Sequence, residues 1–163
     1  MSIDAKLAEL GITLPEAAAP IANYVGYNVS GNLVVVSGQI PLKDGRVAYT
    51  GKVGVNVTPE VAKEAAALCF INVMAQLKAA CGGDLGRVKK VLRLGGFIAA
   101  PADFTGHAPI MNGASDLCVA VFGDAGRHAR TTIGVPSLPA DACCEVEAPV
   151  SYTHLRAHET VLD

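Results

Sequence analysis

The side chains of this 163-residue chain whose types could do chemistry are few, and each stands isolated among apolar residues. Arg130 opens one strand-like run and Glu145 lies in the next. Asn112 falls near the start of a helical stretch, Tyr24 heads the first strand-like run, and Ser37-Gly38-Gln39 closes the second. A guanidinium can grip a carboxylate through two parallel hydrogen bonds, and a glutamate can take a proton from water. The ordinary reading of such a pair in neighbouring strands is a cross-strand ion pair on a solvated face. Asn112 reads equally well as a cap or turn residue and Tyr24 as a half-buried strand aromatic. Arg93 and Arg127 read as solvated charges. His107 and His128 have no acid or cysteine at metal-ligand spacing and read as surface histidines.

Several classes of function drop out. The chain has no GxxxxGK[ST], no GxGxxG after a strand, no HExxH and no GxSxG. Thirteen Lys and Arg against fifteen Asp and Glu leave a formal charge of -2, and no basic run offers a footprint for phosphates, so nucleic acid is not an expected partner. The apolar runs, such as Leu33 to Val36 and Ala65 to Ile71, fall far short of the roughly 20 residues that cross a bilayer. At 51% hydrophobic residues the chain has enough apolar surface to form a core. The start Met1-Ser2-Ile3-Asp4 lacks the basic and apolar regions of a signal peptide, so a cytoplasmic location is expected. Cys69, Cys81, Cys118, Cys143 and Cys144 show no CxxC spacing and read as reduced core residues there.

The elements that must position the candidates follow from periodicity and punctuation. Ile3 to Leu10 predicts a short helix capped by Gly11, and a Pro- and Ala-rich connector follows. Tyr24 to Val29 and Leu33 to Ser37 predict a hairpin about Ser30-Gly31-Asn32, and Val47 to Tyr49 a short strand after the Asp44-Gly45 turn. Thr58-Pro59-Glu60 is a helix start, and Gly82-Gly83 stops that helix after Ala80. Val88 to Ala99 predicts one long strand. A second helix runs from about Pro109 to Gly123, and Ala129 to Val135 and Cys143 to Ala148 close the sheet. The order is that of an α+β domain with two helices on one face of a sheet. Its other face is expected to be buried by another copy of the chain.

Residues 1–148 thus read as one domain, with 1–21 as its N-terminal helix and connector. From Val150 the style changes: VSYTHLRAHET resembles the in-frame translation of a transposase-end sequencing adapter that also part-encodes Pro149, and a native C-terminal helix or a metal-binding HxxxH are the lesser alternatives. Residues 149–163 are therefore read as a non-native tail that packs poorly.

The segment ANYVGYNVSGNLVVVSGQIPLKDGRV resembles the N-terminal hairpin of the RidA family, the YjgF-type reactive intermediate deaminases. ADFTGHAPIMNGASDLCVAVFG is similar to that family's DF…N helix, and HARTTIGVPSLPADACCEVEA to its ARS…V…LP…VEIEA ending. The N-terminal extension and the FGDAGRHAR run resemble a longer branch, often labelled endoribonuclease L-PSP. The resemblance implies a chorismate-mutase-like fold, a six-stranded sheet with two helices, assembled as a homotrimer with clefts between subunits. It implies that Arg130 binds a substrate carboxylate and that Glu145 holds or activates water. Tyr24, Gly38, Asn112 and Thr132 fall at the family's cleft positions. The activity implied is hydrolysis of amino-acid-derived imines or enamines to 2-oxo acids and ammonia, with no metal or organic cofactor. A non-catalytic trimer that binds small carboxylates or a partner protein is the alternative, and an endoribonuclease a further one. Two departures bear on substrate choice: Thr132 replaces the family's usual cysteine, and Asn23 stands where proline is common.

Overall fold

Extended backbone at Thr58 lets its hydroxyl accept from the Val61 amide at 3.2 Å, and Pro59 fits the first helical position. Helix α2 (Pro59–Ala80) therefore starts where the sequence punctuates it. It stops where Gly82 and Gly83 take φ of 66° and 95°. The computed structural model describes residues 1–20 and 22–154. Within them the other helices are α1 (Ile3–Glu9) and α3 (His107–Phe122), and the strands are β1 (Tyr27–Ser30), β2 (Leu33–Gln39), β3 (Leu42–Lys43), β4 (Arg46–Val47), β5 (Val88–Val91), β6 (Arg93–Ala99), β7 (Ala129–Val135) and β8 (Cys144–Tyr152).

Six strands form one sheet in the order β1-β2-β8-β6-β7, with β5 also paired to β8, while β3 and β4 make a separate small hairpin. Every pairing is antiparallel except β6 with β7, which are parallel because α3 carries the chain back between them. Strand β8 alternates: Cys144, Val146, Ala148, Val150 and Tyr152 are buried, and Glu145, Glu147, Pro149 and Ser151 are half-buried on the other side. Helices α2 and α3 cover the first side. Ala62, Ala65 and Ala66 of α2 are fully buried, and such small residues let the helix lie close to its neighbours. The fold is α+β, as expected.

Four expectations need correction. The first strand begins at Tyr27, and Tyr24 sits in the bend before it. The short strand expected at Val47 to Tyr49 is instead the β3–β4 hairpin, ending at Val47. The long strand is broken at Leu92, whose amide bonds Pro149 on one side while its carbonyl accepts from Ala129 on the other. Finally, β8 does not end at Ala148. Val150 pairs with both Val34 and Val91, and Val150 and Tyr152 are buried, so the poor packing expected from Pro149 onward does not hold through Tyr152. Positions 155–163 of that segment lie outside the described residues.

Candidate functional site

Glu145 faces away from the helices. It stands opposite Phe97 of β6 and against Gly38 of β2, so closely that a Cβ on Gly38 would lie 2.7 Å from its Oε2. Only glycine leaves room for the carboxyl there. Burial pushes the Glu145 carboxyl above the usual glutamate range, and the neighbouring Glu147 carboxylate adds to the rise. Around it opens a cavity of about 360 Å³ lined by Tyr24, Gly38, Ile40, Pro139 and the connector residues Ala18 to Pro20. Two contacts shape its rim. The Ser37 hydroxyl donates to the Val25 carbonyl at 2.6 Å, fixing the bend that carries Tyr24. The buried Gln76 of α2 donates to the Ala18 carbonyl at 2.9 Å, tying down the connector.

Arg130 lies on the helix side of β7, opposite Leu94. Its Nη1 donates to Asn112 Oδ1 at 2.8 Å and to Ser115 Oγ at 3.2 Å, both presented by α3 three residues apart. The guanidinium is half-buried and has no carboxylate partner among the described residues. Its Nε and Nη2 make no hydrogen bond to those residues. Thr132, two residues on, shares this side of the strand, and its hydroxyl is buried without a partner. Groups of this kind are uncommon, because an unmet buried hydroxyl costs roughly 1–3 kcal/mol.

The six candidates therefore fall into two groups, each a candidate half-site. Tyr24, Gly38 and Glu145 share one cavity; Arg130, Asn112 and Thr132 cluster beside α3. The cross-strand ion pair is excluded on two counts: β6 separates β7 from β8, and the two side chains leave opposite faces of the sheet, since their β6 partners Leu94 and Phe97 are an odd number of residues apart. Asn112 is not a cap; it sits in the second turn of α3 and serves Arg130. His128 is no surface histidine. It is half-buried, with Nε2 2.8 Å from Ser115 Oγ and Nδ1 2.6 Å from the Gly126 carbonyl oxygen. The sequence reading leaves Ser115 unremarked and places His128 on the surface. The i, i+3 spacing of Asn112 and Ser115 was the available signal.

The five cysteines are free and buried, and burial pushes the thiols of Cys118 and Cys143 up to about 12, which leaves them protonated and unreactive. Among the described residues no three His, Cys, Asp or Glu side chains gather as metal ligands would. No helix among them is long and apolar enough to cross a membrane.

A family model described as "YjgF/chorismate mutase-like, putative endoribonuclease" matches residues 4–150. The chain is 46% identical over 149 residues to Protein TCP17 of Trypanosoma cruzi, covering 91% of this chain and 92% of that one. Its structure is similar to that of an Agrobacterium tumefaciens protein of unknown function, at 46% identity, TM-score 0.87 and 93% and 92% coverage. It is also similar to a Shewanella oneidensis protein described as "a putative endoribonuclease", at 35% identity, TM-score 0.89 and 93% and 99% coverage.

Proposed function

We propose, for a chain that belongs to the YjgF/chorismate mutase-like family, that it hydrolyses small imines or enamines bearing a carboxylate, yielding a 2-oxo acid and ammonia. The observation that carries this reading is Arg130: a half-buried guanidinium tied at Nη1 to two neutral oxygens, with the Nε and Nη2 edge left for an anion. A fork of this shape matches a carboxylate in the bidentate manner that a lysine does not.

The two half-sites face opposite sides of the sheet, so one copy cannot bring both to one small substrate. The open face presents exposed Val35 and Ile133 with half-buried Phe97 and Pro149, an apolar surface that a second copy would cover. A homotrimer in which Arg130 of one copy meets Glu145 of the next answers both facts. In that cleft Glu145 takes a proton from water, the hydroxide adds to the C=N carbon, and Glu145 returns the proton to the nitrogen. Glu145 then takes the carbinolamine hydroxyl proton and passes it to the nitrogen, so that the C–N bond breaks, ammonia leaves and the oxygen keeps the carbonyl. The substrate arrives activated, so holding carboxylate and water in register supplies most of the rate. Five buried thiols with no disulfide suit a reducing cytoplasm.

The family description favours a second reading, RNA cleavage. A formal charge of -2 without a basic run argues against it, because phosphate contacts dominate affinity for RNA. The deciding experiment generates imine with an amino-acid oxidase or a dehydratase and times ammonia release with and without the protein, alongside incubation with single-stranded RNA. Acceleration that is lost in Arg130→Ala supports the deaminase; cleaved RNA and unchanged ammonia release overturn it.

A further inference from the structure

Arginine only donates, so Asn112 Oδ1 and Ser115 Oγ must both accept from Arg130 Nη1. The direction of the remaining hydrogen bonds then follows by elimination. The Gly126 carbonyl oxygen only accepts, and His128 Nδ1 lies 2.6 Å from it, so Nδ1 carries a proton. In the neutral ring Nε2 is then an acceptor, and the single proton of Ser115, 2.8 Å away, is committed to it. The result is one directed chain from Arg130 through Ser115 and His128 to Gly126. Its terminus is firm: Gly126 is buried, the Cys118 thiol donates to the same carbonyl at 3.2 Å, and a side chain at Gly126 would strike the Cys118 backbone.

We infer that Ser115 and His128 are positioning residues, which hold the Ser115 lone pair on Arg130 Nη1 and so turn the free edge of the guanidinium toward the ligand. The side chain of an arginine has four rotatable bonds and loses considerable freedom on being fixed. Asn112 alone bonds one nitrogen at one point and leaves the fork free to swing. Ser115 adds a second acceptor, but a hydroxyl rotates; His128, by taking its proton, leaves the lone pairs aimed at Arg130. Both groups therefore act through Arg130 and touch no substrate. The inference rests on the reading of Arg130 as the carboxylate anchor.

The test uses the full-length protein, the ammonia-release assay, and calorimetric binding of pyruvate as a product-class 2-oxo acid. Ser115→Ala and His128→Phe should each raise KM and weaken pyruvate by about tenfold, the loss of one hydrogen bond to a charged group, with kcat changed much less. His128→Gln, which keeps an acceptor within reach of Ser115, should recover most of that loss. In an Arg130→Ala background, Ser115→Ala should add nothing further. If Arg130→Ala leaves pyruvate binding unchanged, the anchor reading falls and the inference with it. If Arg130→Ala abolishes binding while Ser115→Ala and His128→Phe bind pyruvate as the parent does, the anchor stands and the inference alone is overturned. Lower melting temperatures with unaltered KM would likewise overturn it, since they mark a structural role only.

Discussion

At the residue scale, the two charged groups of the site are held in opposite ways. Arg130 donates to two neutral acceptors; Glu145 is pressed toward its neutral form by burial and then by Glu147. Replacing Arg130 by Ala should lower the rate of imine hydrolysis roughly a hundredfold or more, as loss of a charge-assisted fork removes a few kcal/mol of transition-state binding. Arg130→Lys should be nearly as slow, because a point charge cannot make the bidentate grip. Ammonia release checks both. For Glu145 the folded-state pKa is raised, so the protonated form fits the fold: its contribution to stability is complete below the ordinary glutamate range and is lost as pH rises through the raised value. Glu145→Gln should accordingly be more stable than the parent at neutral pH, the difference vanishing in acid, as denaturant midpoints across pH would show. The activity profile of the parent should have an acid limb above the ordinary glutamate range, since the carboxylate is the form that accepts a proton.

At the scale of elements, α2 and α3 meet over small residues. Gly113 of α3 packs directly on the Lys63 carbonyl of α2, so an added Cβ would strike backbone that cannot give way. Overpacking in Gly113→Ala should cost about 1–3 kcal/mol, against up to about 1 kcal/mol returned by helix propensity, so the variant should be the less stable. Chemical denaturation measures it. Strand β8 makes the complementary case. Tyr152 is buried at its end beneath the Arg87 guanidinium, 5.3 Å from the ring centroid, and Arg87 also donates to the Thr153 carbonyl. Truncation after Ala148 would strip β5 of its partner and expose Val34 and Val91. The shortened chain should lose its cooperative unfolding transition by calorimetry.

At the scale of the whole molecule, the helices close one face of the sheet and leave the other open, with Val35 and Ile133 exposed on the face that also carries Glu145 and Glu147. That asymmetry, with the two groups of candidate residues on opposite faces, is the ground for the proposed assembly. Light scattering should give about 50 kDa, three copies of the 16.7 kDa chain, at micromolar concentration. Ile133→Glu, a charge placed on the open face of β7, should shift that mass toward the monomer. The same substitution should abolish ammonia release even though Ile133 lies in neither half-site.

Local rules determined the elements. Thr58-Pro59-Glu60 marked the start of α2 and Gly82-Gly83 its end, Ser30-Gly31-Asn32 turned the first hairpin, and the bounds of β7 followed from its pattern, because capping, turn chemistry and side-chain period act within a few residues. The candidate residues were legible only singly. That Arg130 and Glu145 never meet within one copy depended on β6 entering between two strands consecutive in the chain. That Asn112 and Ser115 serve Arg130 depended on α3 packing beside β7. That β8 runs past Ala148 depended on β2 and β5 waiting to pair with it. Strand order and helix docking are settled by pairing between distant segments, which burial of the common core rewards only once the whole sheet is assembled. A period of two tells that successive side chains part company but never which strand lies alongside.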